Sequence, residues 1–234
     1  MVEIFYNGKG SYTDFGLILN YFKPQPPTPN IIKIDIPFTN GNLDFSTIGS
    51  MGEVTYQKRK IEVEFHVPKL NMEALSVLYS EVLEWLLSPG EQQLIYSNDL
   101  FHYYLSKLEA APSLDDFKEL GTLKLEFIAQ PFKYNMLEFG FDSWDLFCFE
   151  TDYTAYTNQF YINGETSLQI GNAGMDVTPV ITSTAAMALT FKGITYNLVA
   201  GDNNIYGIRL KKGINYLTVN GTGTITITFT EQTL

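Results

Sequence analysis

The sequence predicts a mainly β protein with a single helix, and three observations carry that prediction. Short runs of alternating apolar and polar residues, bounded by Gly, Pro, Asn and Asp, recur along most of the chain. A helical stripe occurs once: Leu75, Leu78, Tyr79, Val82 and Leu86 fall on one face at 3.6-residue spacing. The final third is rich in threonine and poor in charge, a composition suited to strands.

Composition separates two halves. Up to Lys133 there are 28 charged residues in 133, whereas from Thr154 onward there are 8 in 81, together with 15 of the 22 threonines. The expected division is therefore 1–133 and 134–234. The first part is a β-barrel or sandwich-like domain with one helix, the second an antiparallel β-sandwich. Tyr134 to Tyr153 connects them and carries Phe139, Phe141, Trp144, Phe147 and Phe149, so it is expected to be packed.

In the first part, Pro24-Gln-Pro-Pro-Thr-Pro29 reads as a stiff, extended connection, since proline donates no ladder hydrogen bond. Ile32, Ile34 and Ile36 then share one face of a strand over Ile31–Pro37. Glu53 to Pro68 reads as the clearest strand, with Ile61, Val63, Phe65 and Val67 facing one way and Glu62, Glu64 and His66 the other. Asn71 is placed to cap the helix and Glu73 suits its positive end, while Ser88-Pro-Gly90 stops it. Strands follow at Gln92–Ser97, His102–Ala111 and Thr122–Gln130.

In the second part, Phe160–Asn163, Ser167–Ile170, Pro179–Thr182 and Met187–Phe191 read as separate short strands. Lys192-Gly193 and Lys211-Lys-Gly213 read as hairpin turns, the latter between Ile205–Leu210 and Ile214–Val219. Thr224–Thr230 alternates strictly and buries Ile225, Ile227 and Phe229.

The chemistry is sparse. The one cysteine, Cys148, cannot form a disulfide within its own chain, and with His66 and His102 it makes a poor zinc-ligand set. Glu62-x-Glu64-x-His66 has the look of half a metal site, but a polar strand face explains it as well. Asp115-Asp116 sits in a surface turn, and Cys148 lies between two phenylalanines, unlike a reactive thiolate. Gly8-Lys-Gly10 and Gly221-Thr-Gly223 lack the remainder of a dinucleotide loop and read as turns. Lys58-Arg59-Lys60 is split by alternation over two sheet faces. No catalytic, cofactor-binding or metal residue is assigned, and no cofactor is expected. A net charge of −11 argues against nucleic-acid binding. No signal peptide and no membrane span are expected.

The order of motifs resembles the distal tail protein (Dit) family of long-tailed phages infecting Gram-positive bacteria. The residues that carry it are Tyr12-Thr-Asp-Phe-Gly-Leu-Ile-Leu19, Ile34-Asp-Ile-Pro37, Gly41-x-Leu43-Asp44, Gly52 and Lys58-Arg-Lys-Ile-Glu-Val-Glu-Phe65. Trp85-Leu86, Leu94-Ile-Tyr-Ser-Asn-Asp99, Tyr103-Tyr-Leu105, Leu123-x-Leu125-x-Phe127 and Pro131-Phe132 continue it. Asn172-Ala-Gly174, Thr178-Pro-Val-Ile181 and Gly213-x-Asn215 resemble the galectin-like sandwich that follows in that family.

The resemblance implies a structural virion protein rather than an enzyme. It implies a homo-hexameric ring built by the first domains at the tail tip, with the second domains projecting. The implied partners are the tail tube protein, the tail-associated tip protein and receptor-binding proteins of the baseplate, with assembly in the host cytoplasm. The alternative is a carbohydrate-binding module for cell-wall polysaccharide. Galectins hold sugar with His, Arg and Trp, and after Trp144 this chain has no His, no Trp and one arginine, Arg209. Tyr153, Tyr156 and Tyr161 are the residues left for a stacking platform.

Overall fold

The computed structural model describes residues 1–38, 40–47, 52–67, 71–87, 90–110, 121–140 and 157–234. The chain forms two compact units. One holds Met1–Asp99, Tyr103–Lys133 and Leu234; the other holds Leu100–His102 and Tyr134–Thr233. Among the described residues the fold is mainly β with one helix, as the alternation predicts.

The first unit is built on β1 (Ile4–Tyr6), β2 (Lys9–Gly10), β3 (Ile18–Pro24), β6 (Arg59–His66), β7 (Gln92–Tyr96), β8 (Asp99–Leu108) and β9 (Thr122–Glu138), hydrogen-bonded in the order β2-β1-β7-β8-β9-β6-β3. A separate two-stranded ribbon, β4 (Lys33–Asp35) with β5 (Asn42–Asp44), lies between β3 and β6 in the chain. The strand read at Glu53–Pro68 is shorter than expected, because only Arg59–His66 finds ladder partners, on β3 and β9. Strand β9 runs past Pro131 to Glu138, so Tyr134–Glu138 is strand rather than linker.

The helix α1 (Met72–Leu86) begins as its sequence dictates. Asn71 is the N-cap, its side-chain oxygen accepting from the Ala74 amide at 2.8 Å, and Glu73 lies in the first turn. Its buried residues are Leu75, Leu78, Val82, Trp85 and Leu86. They meet Ile4, Tyr6, Ile61, Val63, Phe65, Leu94, Leu123, Leu125 and Phe127 in one core. Trp85 anchors the helix. Its ring stacks on Phe15 at 4.7 Å, and its indole N–H donates to the Tyr6 carbonyl at 2.6 Å. A buried indole needs such a partner, since an unmet donor in a core costs about 1–3 kcal/mol.

The second unit is a long ribbon folded over. Strand β10 (Gln159–Asn172) pairs with β15 (Gly213–Thr228) over fourteen residue pairs, Gln159↔Thr226 to Asn172↔Gly213. Two pairs of strands flank β15. Its first half takes β12 (Met187–Phe191), which forms a hairpin with β13 (Ile194–Leu198). Its second half takes β11 (Val180–Ser183), which pairs with β14 (Gly201–Asn204). The core includes Ile162 and Ile170 of β10, Ile181 of β11, Leu189 of β12, Leu198 of β13, and Leu217, Val219, Ile225 and Ile227 of β15. A last strand, β16 (Thr230–Thr233), follows.

Three expectations for this half are corrected. Phe160–Asn163 and Ser167–Ile170 are one strand, as are Ile214–Val219 and Thr224–Thr228. Gly221-Thr-Gly223 is not a turn but the place where β15 passes from one pair of partners to the other. There Gly164 faces Gly221, and the side chain of Met187 lies where a Cβ on Gly221 would stand. Backbone φ of +154° and +150° at Gly221 and Gly223 also suits glycine alone. Lys211-Lys-Gly213 is not a hairpin turn, since Gly213 pairs with Asn172 and Leu210 makes only an isolated bridge to Val177. The Lys192-Gly193 turn stands, with φ of +50° and +80° between Phe191 and Ile194.

Two buried asparagines close loops in the same way. Asn203 accepts from the Val199 amide and donates to the carbonyls of Val199 and Gly201. Asn215 repeats this with Lys211 and Gly213. In each case the side-chain amide supplies the bonds that a neighbouring strand would give to a buried loop.

Candidate interaction surface

Glu62, Glu64 and Lys60 of β6 are engaged with their own chain. Glu62 accepts from Gln25 Nε2 at 2.6 Å, and Glu64 accepts from Asn20 Nδ2 at 3.1 Å with Lys124 Nζ at 3.5 Å. These contacts hold the Glu64 carboxyl below its usual range, the Asn20 hydrogen bond first among them. Lys60 bonds Glu126 and lies 3.4 Å from Glu109. Lys58 pairs with Glu91 at 2.6 Å, and Gln130 donates to the same carboxylate. The face carrying Glu62, Glu64 and His66 is thus a mixed-charge lattice. Among the described residues no cluster of His, Cys, Asp and Glu is placed to hold a metal. Cys148, Asp115-Asp116, Trp144, Tyr153 and Tyr156 lie outside the described residues.

The basic run divides as alternation requires: Lys58 and Lys60 are exposed and paired, while Arg59 is buried. His102 lies on β8, where its neighbour Tyr104 packs against the core. In the second unit, Tyr161 and Tyr216 are exposed, but their partners are Thr224 and Gln169. They are therefore eight residues apart along the ribbon, about 26 Å at 3.3 Å per residue, too far for one stacking platform.

The distinctive surface is the β4–β5 arm. Its base is closed by the Pro29↔Tyr56 bridge and by the Asn30 amide to the Thr55 carbonyl at 2.8 Å. Register pairs Ile34 with Leu43. Side-chain alternation therefore puts Ile32, Ile34, Ile36 and Leu43 on one face, and every one of them is exposed, Ile34 to 50%. Ile31 on the other face is 62% exposed. At the tip, Phe38 is fully exposed and has φ of +67°. A bulky residue in the left-handed region is strained, and such strain clusters at functional positions such as ligand clamps and switch regions. Burying the half of each isoleucine that is still exposed would contribute about 1 kcal/mol, and an isolated two-stranded ribbon is marginal in water. The arm carries the chemistry of a core without a core around it.

The sequence showed which isoleucines share a face but not that the face is uncovered. The available signal was the setting of the run, between a proline-rich stretch and glycine-bearing loops.

Fold and surface together define a β-built protein whose salient feature, among the described residues, is an exposed apolar arm. The sequence family described as the phage tail protein RIFT-related domain matches residues 10–129. The chain belongs to that family: it is a phage tail protein. Its fold is that of the Dit protein of phage SPP1. The crystal structure of that protein covers 100% of both chains at a TM-score of 0.66 and 17% identity, and is described as a paradigm of the hub adsorption apparatus in phages infecting Gram-positive bacteria. The sequence has no match among curated proteins. No helix among the described residues is long and apolar enough to cross a membrane.

Proposed function

We propose that this chain is a structural hub subunit. Six copies close into a ring at the distal end of the tail tube, joining the tube to the tip protein and the receptor-binding proteins. Residues 1–133 build the ring and 134–234 project from it. The protein enters the virion tail after assembly in the host cytoplasm, and its role is scaffolding rather than catalysis.

The observation that carries this reading is the exposed apolar face of the arm. Such a face on a repeated subunit invites a heterologous contact, arm on one copy and cradle on the next, and a heterologous contact that closes makes a ring. The whole-chain likeness to a hub protein agrees with it.

The test is native mass spectrometry and electron microscopy of the chain, alone and co-expressed with its neighbouring tail proteins. Six-membered rings are expected from the wild type. Ile34→Asp with Leu43→Asp should leave a folded monomer of unchanged melting temperature. A wild-type chain that stays monomeric in virions as well as in solution overturns the reading.

A further inference from the structure

Arg59 is the inward-facing member of the Lys58–Lys60 run. It is only 5% exposed, and the lysines on either side hold Glu91, Glu109 and Glu126. Its side chain lies across the sheet. The guanidinium carbon is 5.5 Å from the ring centroid of Tyr104 on β8, although β9 runs between β6 and β8. The residue facing Arg59 on β9 is Ala129, small enough to let the side chain pass.

One edge of the guanidinium is left over. Nε and Nη2 are buried with no hydrogen-bond partner among the described residues. Those two atoms form a fork of parallel N–H donors that matches the two oxygens of a carboxylate. Ser106, two residues beyond Tyr104 and on the same face of β8, also buries an oxygen without a partner. Burial disfavours the charged guanidinium, with Tyr104 acting in the opposite sense. A buried cation lacking a counter-ion is costly and calls for an anion. Arg59 is also the first residue of β6, three residues after Tyr56, which closes the base of the arm.

We propose that Arg59 is the receptor for a carboxylate on a second copy of this chain, engaged when the arm docks. This rests on the ring reading. In the free subunit the guanidinium lies against Tyr104. In the assembly the side chain turns at the end of its strand and takes the carboxylate through its Nε–Nη2 fork. A second copy is well supplied with carboxylates, having 26 acidic residues against 15 basic.

The experiment compares the full-length wild type, Arg59→Met and Arg59→Lys by thermal unfolding of the lone subunit and by native mass spectrometry of association. Arg59→Met is expected to melt no lower than the wild type yet to lose at least tenfold in association. Arg59→Lys, which keeps the charge but not the fork, should associate like the methionine variant. Wild-type association in either variant overturns the proposal. So does a methionine variant that loses stability and association together, since that marks a purely structural residue. A wild type that never associates overturns the ring reading and this proposal with it, whereas rings formed by all three proteins overturn this proposal alone.

Discussion

Strand β6 and the β4–β5 arm are written in nearly the same pattern and meet opposite fates. Ile61-Glu-Val-Glu-Phe65 and Ile32-Lys-Ile-Asp-Ile36 both alternate apolar with charged residues. In β6 the apolar set is fully buried and the strand lies between two partners, β9 and β3. In the arm the apolar set is exposed and β4 has a single partner, β5. Alternation specifies which side chains share a face; only neighbours decide whether that face is a core or an interface. The largest expected effect follows. Phe65→Ala should cost about 3–5 kcal/mol of subunit stability, as for other buried aromatics, while Ile34→Ala should stay within about 0.5 kcal/mol. Urea unfolding of the lone subunit measures both. A comparable loss at Ile34 would mean that the arm packs on its own subunit.

The same distinction explains what could be read in advance. Mainly β with one helix was legible, because Asn71, Glu73 and the Leu75–Leu86 stripe mark the only helical period, and alternation marks the rest. Trp85 falls on the same stripe by period, seven residues after Leu78 and three after Val82. The partner of its indole N–H is the Tyr6 carbonyl, seventy-nine residues away, which no local pattern contains. Gly221 and Gly223 read as turn residues, since turns are the commonest use of glycine. Here they allow a paired ribbon to change partners around Met187, a long-range requirement. Polar residues of the candidate site were visible as types, Glu62, Glu64 and Arg59 among them. Their partners Gln25, Asn20 and Tyr104 come from distant parts of the chain and were not. The exposure of the arm was the least legible feature, because exposure belongs to the fold rather than to the run.

A smaller effect separates the two regions by motion. Hydrogen bonds in β6 lie on both sides and beneath a core, so the amides of Ile61, Val63 and Phe65 should exchange with deuterium only through near-global unfolding. Those of β4 sit in a three-residue strand paired on one side, and should open at a free-energy cost near zero in the lone subunit. Slow exchange in the arm of a monomer would break the comparison. Protection that appears only when rings form would sharpen it, by locating the missing neighbour.

The smallest effect lies on the charged side of β6. Glu64, Glu91 and Glu126 all bind their protons at lower pH in the folded chain, held first by Asn20, Gln130 and Lys60 respectively. Their unfolded counterparts protonate near pH 4.3. Each therefore contributes stability that is complete above that value and is lost as pH falls through the lower folded value. In the arm Asp44 is held in the same direction, by Ser46 first and by Lys33 opposite it, with no burial to strengthen the effect. Glu64→Gln keeps an oxygen for Asn20 but removes the charge facing Lys124, so it should lower the melting temperature slightly at pH 7, where the wild-type advantage is full. The gap should close as pH drops below about 4, and should narrow in molar salt, which screens exposed pairs. A gap that persists undiminished at pH 3 would mean that Glu64 acts through packing rather than charge. The outer face of β6 would then resemble its core more than a solvated, self-neutralised surface, and the contrast with the arm would rest on coverage alone.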